Sequence, residues 1–576
     1  MKLHYKTLLA LAITAALAGC GGDDGKDGAA GAAGAAGAAG VDGTNGTNGT
    51  DGADLTAAPR LTRLATVPLG AEITGLFKTD NGELFFNVQH PSDTLAAPDN
   101  NAAVGVIEGF DLDQLDPKLA AVAVPASGST EATQVILATG SYKVLGRAGD
   151  TYQGAMPFGL GAITNGANNA SLKQSQDPDF NAFVASNADG SAGYLYTSWE
   201  DRPGAVSRME VTRATDGSWS VGDVMNVDFS AVLGTIINCF GTLSPWGTPL
   251  VAEENYEAEN TERWNDASYT SGYPSYNDVK LIQDYLGGTY PNPYNYGYIV
   301  EITDPLAANP VPVKHFTLGR MAHENAVVMP DQKTVYLTDD GSHKGFYKFI
   351  ASTAGDLSAG TLYAAKVTQD ATSDTARAGM NLTWIELGSA TNAQLATWIA
   401  DYDGFDETDY VDGATNYITD AEIQNWADNN VGDDRYAFLE TLKAAAAKGA
   451  TTEFRKMEGI NINYHGVAGN TVPFMYVAMS EIASSMADDS GDIQLDQNLC
   501  GVVYRLGLDA NYNTSRMEPV VVGGPYDATA AVNPCSTDSI SNPDNLIILD
   551  DGRVIIGEDT SKHENNMIWV YNPEGK

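Results

Sequence analysis

NLIILDDGRVIIGED, residues 545–559, decides how the chain folds. A short apolar run reaches Asp550-Asp551-Gly552 and a second apolar run follows at once. Asp-Gly between two such runs is a hairpin signal, because these residues accept the positive φ of a tight turn at low cost. The same pattern recurs at GELFFNVQ (82–89), AGYLYTSWE (192–200) and KTVYLTDD (333–340), with Asp-Gly and Asn-Gly turns between many strands. Many short strands at fairly even spacing predict an all-β chain, and a six-bladed β-propeller better than two stacked sandwiches. NMIWVYNPEGK (566–576) would run naturally into PRLTRLATVPLGAEITG (59–75). Pairing of 566–576 with 59–68 is therefore expected to close the ring and remove an open sheet edge.

The 576 residues suffice for one large core or two ordinary ones. A net charge of −42 argues against nucleic-acid partners, which select basic faces. It suits a calcium-binding protein or one kept soluble in salt.

Residues 1–20 read as a lipoprotein signal peptide. Lys2 and Lys6 precede an apolar run from Leu8 to Ala18, and Leu17-Ala18-Gly19-Cys20 forms a lipobox. Cys20 would carry the acyl chains. Gly21, rather than Asp, follows it, so the expected address is the outer membrane or cell surface of a Gram-negative bacterium. Membrane contact would be by the lipid anchor alone. Residues 21–58 contain glycine at every third position from Gly25 to Gly52. This collagen-like run lacks proline up to Gly52, so it reads as a flexible tether.

Residues 59–576 form the expected propeller domain, interrupted at 389–448 by an acidic helical insertion. Helices are expected over Ala393–Asp401, Asp420–Asn430 and 435–451. DYDGFDETDYVDG (401–413) is acidic but lacks EF-hand glycine spacing. The Tyr-, Asn- and Pro-rich segment 256–300 reads as a long surface excursion. Cys500 and Cys535 flank one C-terminal segment and are the better disulfide pair, leaving Cys239 free or sulfur-ligating.

SPWGTPLVAEENYE (244–257) carries the candidate chemistry. A turn and a short strand deliver Glu253 and Glu254, and alternation along a strand sends the two acids to opposite sides. One of the two is expected to face a pocket and the other to face away. Hard oxygen donors at a strand end are what a calcium site needs.

This block, with Asn238-Cys239 and Gly241 upstream, resembles the PhoX-type alkaline phosphatase family, which has Asn-Cys-Ala-Gly and then Thr-Pro-Trp-Gly before Cys-Glu-Glu-Asn. AEITGLFKTDNGELFFNVQHPSD (71–93) is similar to a family motif found near the typical member's C-terminus, which suggests a circular permutation. GYLYTSWEDRPGAVSR (193–208) places Glu200 at a family glutamate. Gly319-Arg320-Met321-Ala322-His323-Glu324, Asp339-Asp340 and Tyr347-Lys348-Phe349 match a further run. Arg455-Lys456-Met457-Glu458 stands where the family has Asp-Arg-Pro-Glu, and NPDNL (542–546) resembles its Cys-Pro-Asp-Asn-Leu. Ala71 and Ala252 replace family cysteines.

The resemblance implies a cage in which Glu72, Glu200, Glu253, Glu324, Glu458 and Glu558, with His323, hold cations at strand ends. Arg320, Lys456 or Arg455 would stabilise charge on a phosphoryl group. It implies hydrolysis of a small phosphate ester with Ca²⁺ and iron. The two lost cysteines remove soft iron ligands, which shifts the expectation towards calcium. Two other readings fit a weakened phosphate clamp. One is a non-catalytic, calcium-stabilised ligand-binding propeller, the other a propeller hydrolase such as a lactonase or phosphotriesterase.

Overall fold

The Asp551-Gly552 turn shows how the strands are made. Gly552 takes φ 87° and donates its N–H to the Leu549 carbonyl at 2.9 Å. Pro543–Ile548 thereby pairs antiparallel with Val554–Glu558. The computed structural model describes residues 60–152, 156–429, 432–464, 466 and 473–574. Cys20 and the glycine-rich run lie outside the described residues. No described helix is long and apolar enough to cross a membrane.

The chain is all-β, with few helices. Within the compact unit Thr56–Lys576 the described strands include six antiparallel four-stranded meanders. The first runs through Glu72–Lys78, Leu84–Gln89, Ala103–Glu108 and Ser141–Arg147, the second through Pro178–Ala185, Ala192–Trp199, Ala205–Arg213 and Trp219–Asn226. The third comprises Asn238–Leu243, Pro249–Glu253, Ile299–Thr303 and Val311–His315. The fourth comprises His323–Val328, Thr334–Asp339, Phe346–Thr353 and Asp356–Gln369. The fifth comprises Met457–Ile462, Phe474–Met479, Val502–Gly507 and Arg516–Val522. Met380–Thr391 pairs with the fourth and the fifth, joining them in one sheet.

The sixth meander uses both ends of the chain. Pro543–Ile548, Val554–Glu558 and Met567–Asn572 are completed by Arg60–Thr66, in register from Arg60 opposite Asn572 to Thr66 opposite Met567. The leading strands of the six meanders touch in cyclic order, and the last touches the first. Apolar cores lie between neighbours. Phe180, Tyr196 and Val206 of the second meander pack on Phe240, Val251 and Val300 of the third. Tyr476 and Val503 of the fifth pack on Leu546, Val554 and Trp569 of the sixth. Leading strands are thus covered on both faces, as their near-continuous apolar runs require.

Helices Asn392–Ala400, Asp420–Asn429, Arg435–Leu439 and Thr441–Ala447 pack Leu395, Ile399, Ile423, Trp426 and Phe438 against Tyr347 and Leu362. Residues 389–391 still belong to a strand, so the insertion starts slightly later than read. Segment 256–300 is less of a surface excursion than its composition suggests. Trp264, Val279, Ile282 and Tyr296 form their own buried cluster, and Ile299 opens a strand. Cys500 and Cys535 form a disulfide, and Cys239 is free and buried.

Candidate metal centre

One rule of register builds the site. In each meander the first residue of the leading strand pairs with the last of the second strand, and the ladder then shifts. Such pairs are Pro178 with Trp199, Asn238 with Glu253, His323 with Asp339, Met457 with Met479 and Pro543 with Glu558. A bulge at this point re-aims the residues beside it. The second residues of these leading strands are Asp179, Cys239, Glu324, Glu458 and Asp544. The residues just past the second strands are Glu200, Glu254, Asp340, Ser480 and Asp559. Five meanders supply at least one acid at these two positions, and the first, with Ile73 and His90, supplies none.

These residues meet. Ligand atoms of Asp179, Glu200 and Cys239 lie within 4.8 Å of one another, as do those of Cys239, Glu254 and Glu324, and those of Glu324, Glu458 and Asp544. The three groups share members and form one chain of donors. Cys239 Sγ lies 3.1 Å from Asp179 Oδ2 and 2.9 Å from Glu324 Oε2. Lys456 Nζ stands 3.0 Å from Glu458 and 3.4 Å from Asp340. Beside the cluster opens a cavity of roughly 520 Å³ lined by Glu72, His90, Lys456, Asp559 and Lys562 among others. His90 Nε2 is 2.6 Å from Glu72.

So many buried carboxylates resist ionisation. Burial and Asp177 push Glu200 up to about 7, and burial and Asp340 push Glu458 up to about 8. Burial, then Glu200, drives Asp179 well above its ordinary range. Burial, then Asp544, does so for Glu324. Glu254, Asp544 and Glu72 are raised by burial first, and by Asp340, Glu458 and Asp559 respectively. The Cys239 thiol is pushed up by burial, Asp179 and Glu324. Asp340 is the exception: burial opposes its charge, but Lys456 and Glu254 hold it low.

The donor set fits metal ions. Asp179 Oδ1, Glu254 Oε2 and Asp340 Oδ1 are buried without a hydrogen-bond partner, a costly state that a bound cation relieves. Carboxylate oxygens suit calcium, and a thiol among them suits a softer ion.

Of the residues singled out in the sequence, Glu72, Glu200, Glu324, Glu458 and Lys456 lie at the cluster or its cavity. Others are engaged elsewhere. Glu253 turns away from the cluster. It bonds Lys314 at 2.8 Å, the Thr235 hydroxyl at 2.9 Å and the backbone N–H groups of Gly297 and Tyr298. Glu254 takes the inward place, the reverse of the expectation. Glu558 accepts from Ser541 N, Trp569 Nε1 and Met567 N and pairs with His563, so both its oxygens are used. Its neighbour Asp559 faces the cavity instead.

His323 bonds the Gly319 carbonyl through Nε2, and burial pushes it down to about 4. It belongs to none of the three ligand groups. Arg320 is fully buried and donates to the carbonyls of Pro293, Tyr296, Ala258 and Leu439, a structural clamp that leaves no approach for substrate. Arg455 is held by Ser342 and Glu481. Asp179 and Asp544 went unread, although Pro-Asp opens the leading strand at both 178–179 and 543–544.

A buried polycarboxylate cluster with unpartnered oxygens gives this all-β chain the donor set of a metal-binding protein. The model of the alkaline phosphatase PhoX family matches residues 194–576, and the chain belongs to that family. It is a phosphatase by that membership. No curated protein matches the chain. Among solved structures it is similar to Pseudomonas fluorescens PhoX in complex with vanadate, a transition-state analogue. Identity is 19%, with 75% of this chain and 84% of that chain covered, at a TM-score of 0.50. It is also similar to a Trichoderma reesei carbohydrate-active enzyme of family AA12, at 12% identity over 91% of this chain and 100% of that chain, with a TM-score of 0.33.

Proposed function

We propose that the protein is a calcium-dependent phosphomonoester hydrolase, with a softer ion such as iron held at Cys239. The observation that carries this reading is the run of three overlapping ligand groups, buried and rich in oxygens without a partner. Glu324, Glu458 and Asp544, all carboxylates, would hold calcium. Cys239, between Asp179 with Glu200 and Glu254 with Glu324, supplies the sulfur that Ala71 and Ala252 do not.

When bound, the ions polarise a phosphoryl oxygen and lower the pKa of a water molecule. The chain's own groups bind and orient the ester. Burial opposes the charge on Lys456, but Asp340 and Glu458 keep it an ammonium at the cavity wall, where it can face the phosphoryl oxygens. His90, whose Nε2 lies 2.6 Å from Glu72, adds a second nitrogen donor to the same wall. Residues Glu72 to Arg147, ahead of the family match, are read as a permuted first meander that completes the ring. The six meanders, with leading strands in cyclic contact, are read as the blades of a six-bladed β-propeller.

The lipobox at Cys20 supports placing the enzyme at the cell surface on a lipid anchor. The test is elemental analysis of purified protein beside turnover of p-nitrophenyl phosphate, before and after chelation. Calcium in the protein, hydrolysis lost on chelation and regained with calcium is the expected result. Turnover indifferent to chelation would overturn the reading.

A further inference from the structure

A phosphatase site must grip an anion among its own carboxylates, and most cations near this cluster are already engaged. Lys456 is shared by Glu458 and Asp340, Arg455 by Ser342 and Glu481, and Arg320 by backbone carbonyls. Lys344 pairs with Glu259. Arg202 differs. Its Nε and one terminal nitrogen are buried with no hydrogen-bond partner.

Arg202 lies two residues beyond Glu200, just past the second strand of its meander. Its guanidinium carbon stands 4.2 Å from the Tyr273 ring centroid and 5.4 Å from that of Tyr256. The two rings are themselves 5.4 Å apart. Tyr256 touches the cluster, with its hydroxyl donating to Glu200 Oε1 at 3.3 Å. Tyr273 is half exposed, so this edge of the site is open to solvent. Two aromatic faces therefore fix the guanidinium at the rim of the ligand groups. Its charge also pulls the Glu200 carboxyl back against burial and Asp177.

We propose that Arg202 is the residue that grips the phosphoryl group, donating two N–H bonds to its oxygens. A guanidinium is planar and always charged, and its fork matches phosphate bidentately, whereas a lysine acts only as a point charge. Stacking on aromatic rings holds that fork in one plane before substrate arrives. Buried donors without an acceptor are destabilising, and an anion bound there relieves them. The assignment also accounts for the lysine at 456: the bidentate contact is made from a different meander. It rests on the phosphomonoesterase reading above.

The experiment uses the full chain loaded with metal. R202A, R202K and, as a gentler variant, Y273A are compared with the unaltered protein. The readouts are p-nitrophenyl phosphate kinetics, competitive inhibition by orthovanadate, calcium content and Tm. Expected is a fall of about a hundredfold in kcat/KM for R202A and a rise of at least about tenfold in the vanadate inhibition constant, with calcium content and Tm unchanged. R202K recovers little, and Y273A shifts vanadate inhibition by a smaller factor. Unchanged vanadate inhibition in R202A overturns the proposal. So does loss of calcium in R202A and R202K alike, which would make Arg202 a structural partner of Glu200. Should R202A fail to fold, unaltered inhibition in Y273A and R202K overturns it equally. If the unaltered protein hydrolyses no phosphomonoester, the parent reading fails. Calorimetric titration of orthophosphate into unaltered and R202A protein then still decides whether Arg202 binds the anion.

Discussion

The Lys314 ammonium stands 2.8 Å from the Glu253 carboxylate, both side chains shut off from water, while Glu254 next in sequence points into the ligand cluster. Two adjacent glutamates thus have separate tasks. Glu253→Gln leaves a buried lysine uncompensated and is expected to cost about 3 kcal/mol of stability. Glu254→Gln should fold and melt almost normally, yet lose metal and roughly two orders of magnitude or more in phosphomonoester turnover. Thermal melts, calcium stoichiometry and hydrolysis rates of the pair check this. Equal behaviour of the two variants would refute the division of roles.

The metal-free protein should become less stable as pH rises. Glu200 and Glu458 titrate near about 7 and about 8 when folded, against an ordinary value of 4.5. Between those limits the folded chain holds more protons than the unfolded one, so stability falls with increasing pH. Calcium supplies the missing positive charge. Its addition should raise Tm far more near about pH 8 than near about pH 5, where the acids remain protonated. A chelated protein whose Tm is flat across this range would contradict the burial of these charges.

Cys239→Ser keeps the size of the side chain but exchanges sulfur for oxygen at the junction of two ligand groups. Calcium content should persist. Any iron, together with the visible absorption of a sulfur-bound ion, should be lost. Elemental analysis and an absorption spectrum read both. Iron retained at full occupancy in the variant would place that ion elsewhere.

Removing residues 567–576 takes away the strand Met567–Asn572 and two of the partners of Glu558, the Met567 N–H and the Trp569 indole. The truncated chain is expected to lack a cooperative melt. A circular-dichroism melt close to that of the full chain would show the pairing with Arg60–Thr66 to be ornamental.

The strands, their turns and the pairing of the two ends were legible because each depends on local signals. Alternating apolar runs, Asp-Gly turns and an N-terminal run that continues the C-terminal one are all visible in one dimension. The site was legible only to within one residue. At Glu253-Glu254 and at Glu558-Asp559 the sequence offers two neighbouring acids, and alternation says that they diverge without saying which goes inward. The ladder shift beside each pair makes that choice. It is set by hydrogen bonding to a strand far away in sequence. Arg320 and His323 misled for a different reason. Their types suit phosphate and metal, but Arg320 is engaged by carbonyls from remote segments such as 293–296 and 439, and His323 turns back to the Gly319 carbonyl. Asp179 and Asp544 show what comparison of the internal repeats could have found, since the leading strand's second residue is an acid or cysteine in five meanders of six.

The seam between Arg60–Thr66 and Met567–Asn572 sets a timetable for biosynthesis. A chain made from its N-terminus presents the first of these segments long before the second. Until then the strand has no partner on that side, and the sixth leading strand, with Asp544, is still missing from the circle. The metal centre cannot be assembled piecemeal on a growing chain. Asp544 and the closing strand Met567–Asn572 follow every other donor of the ligand groups in the chain, so the cluster is complete only when both are in place.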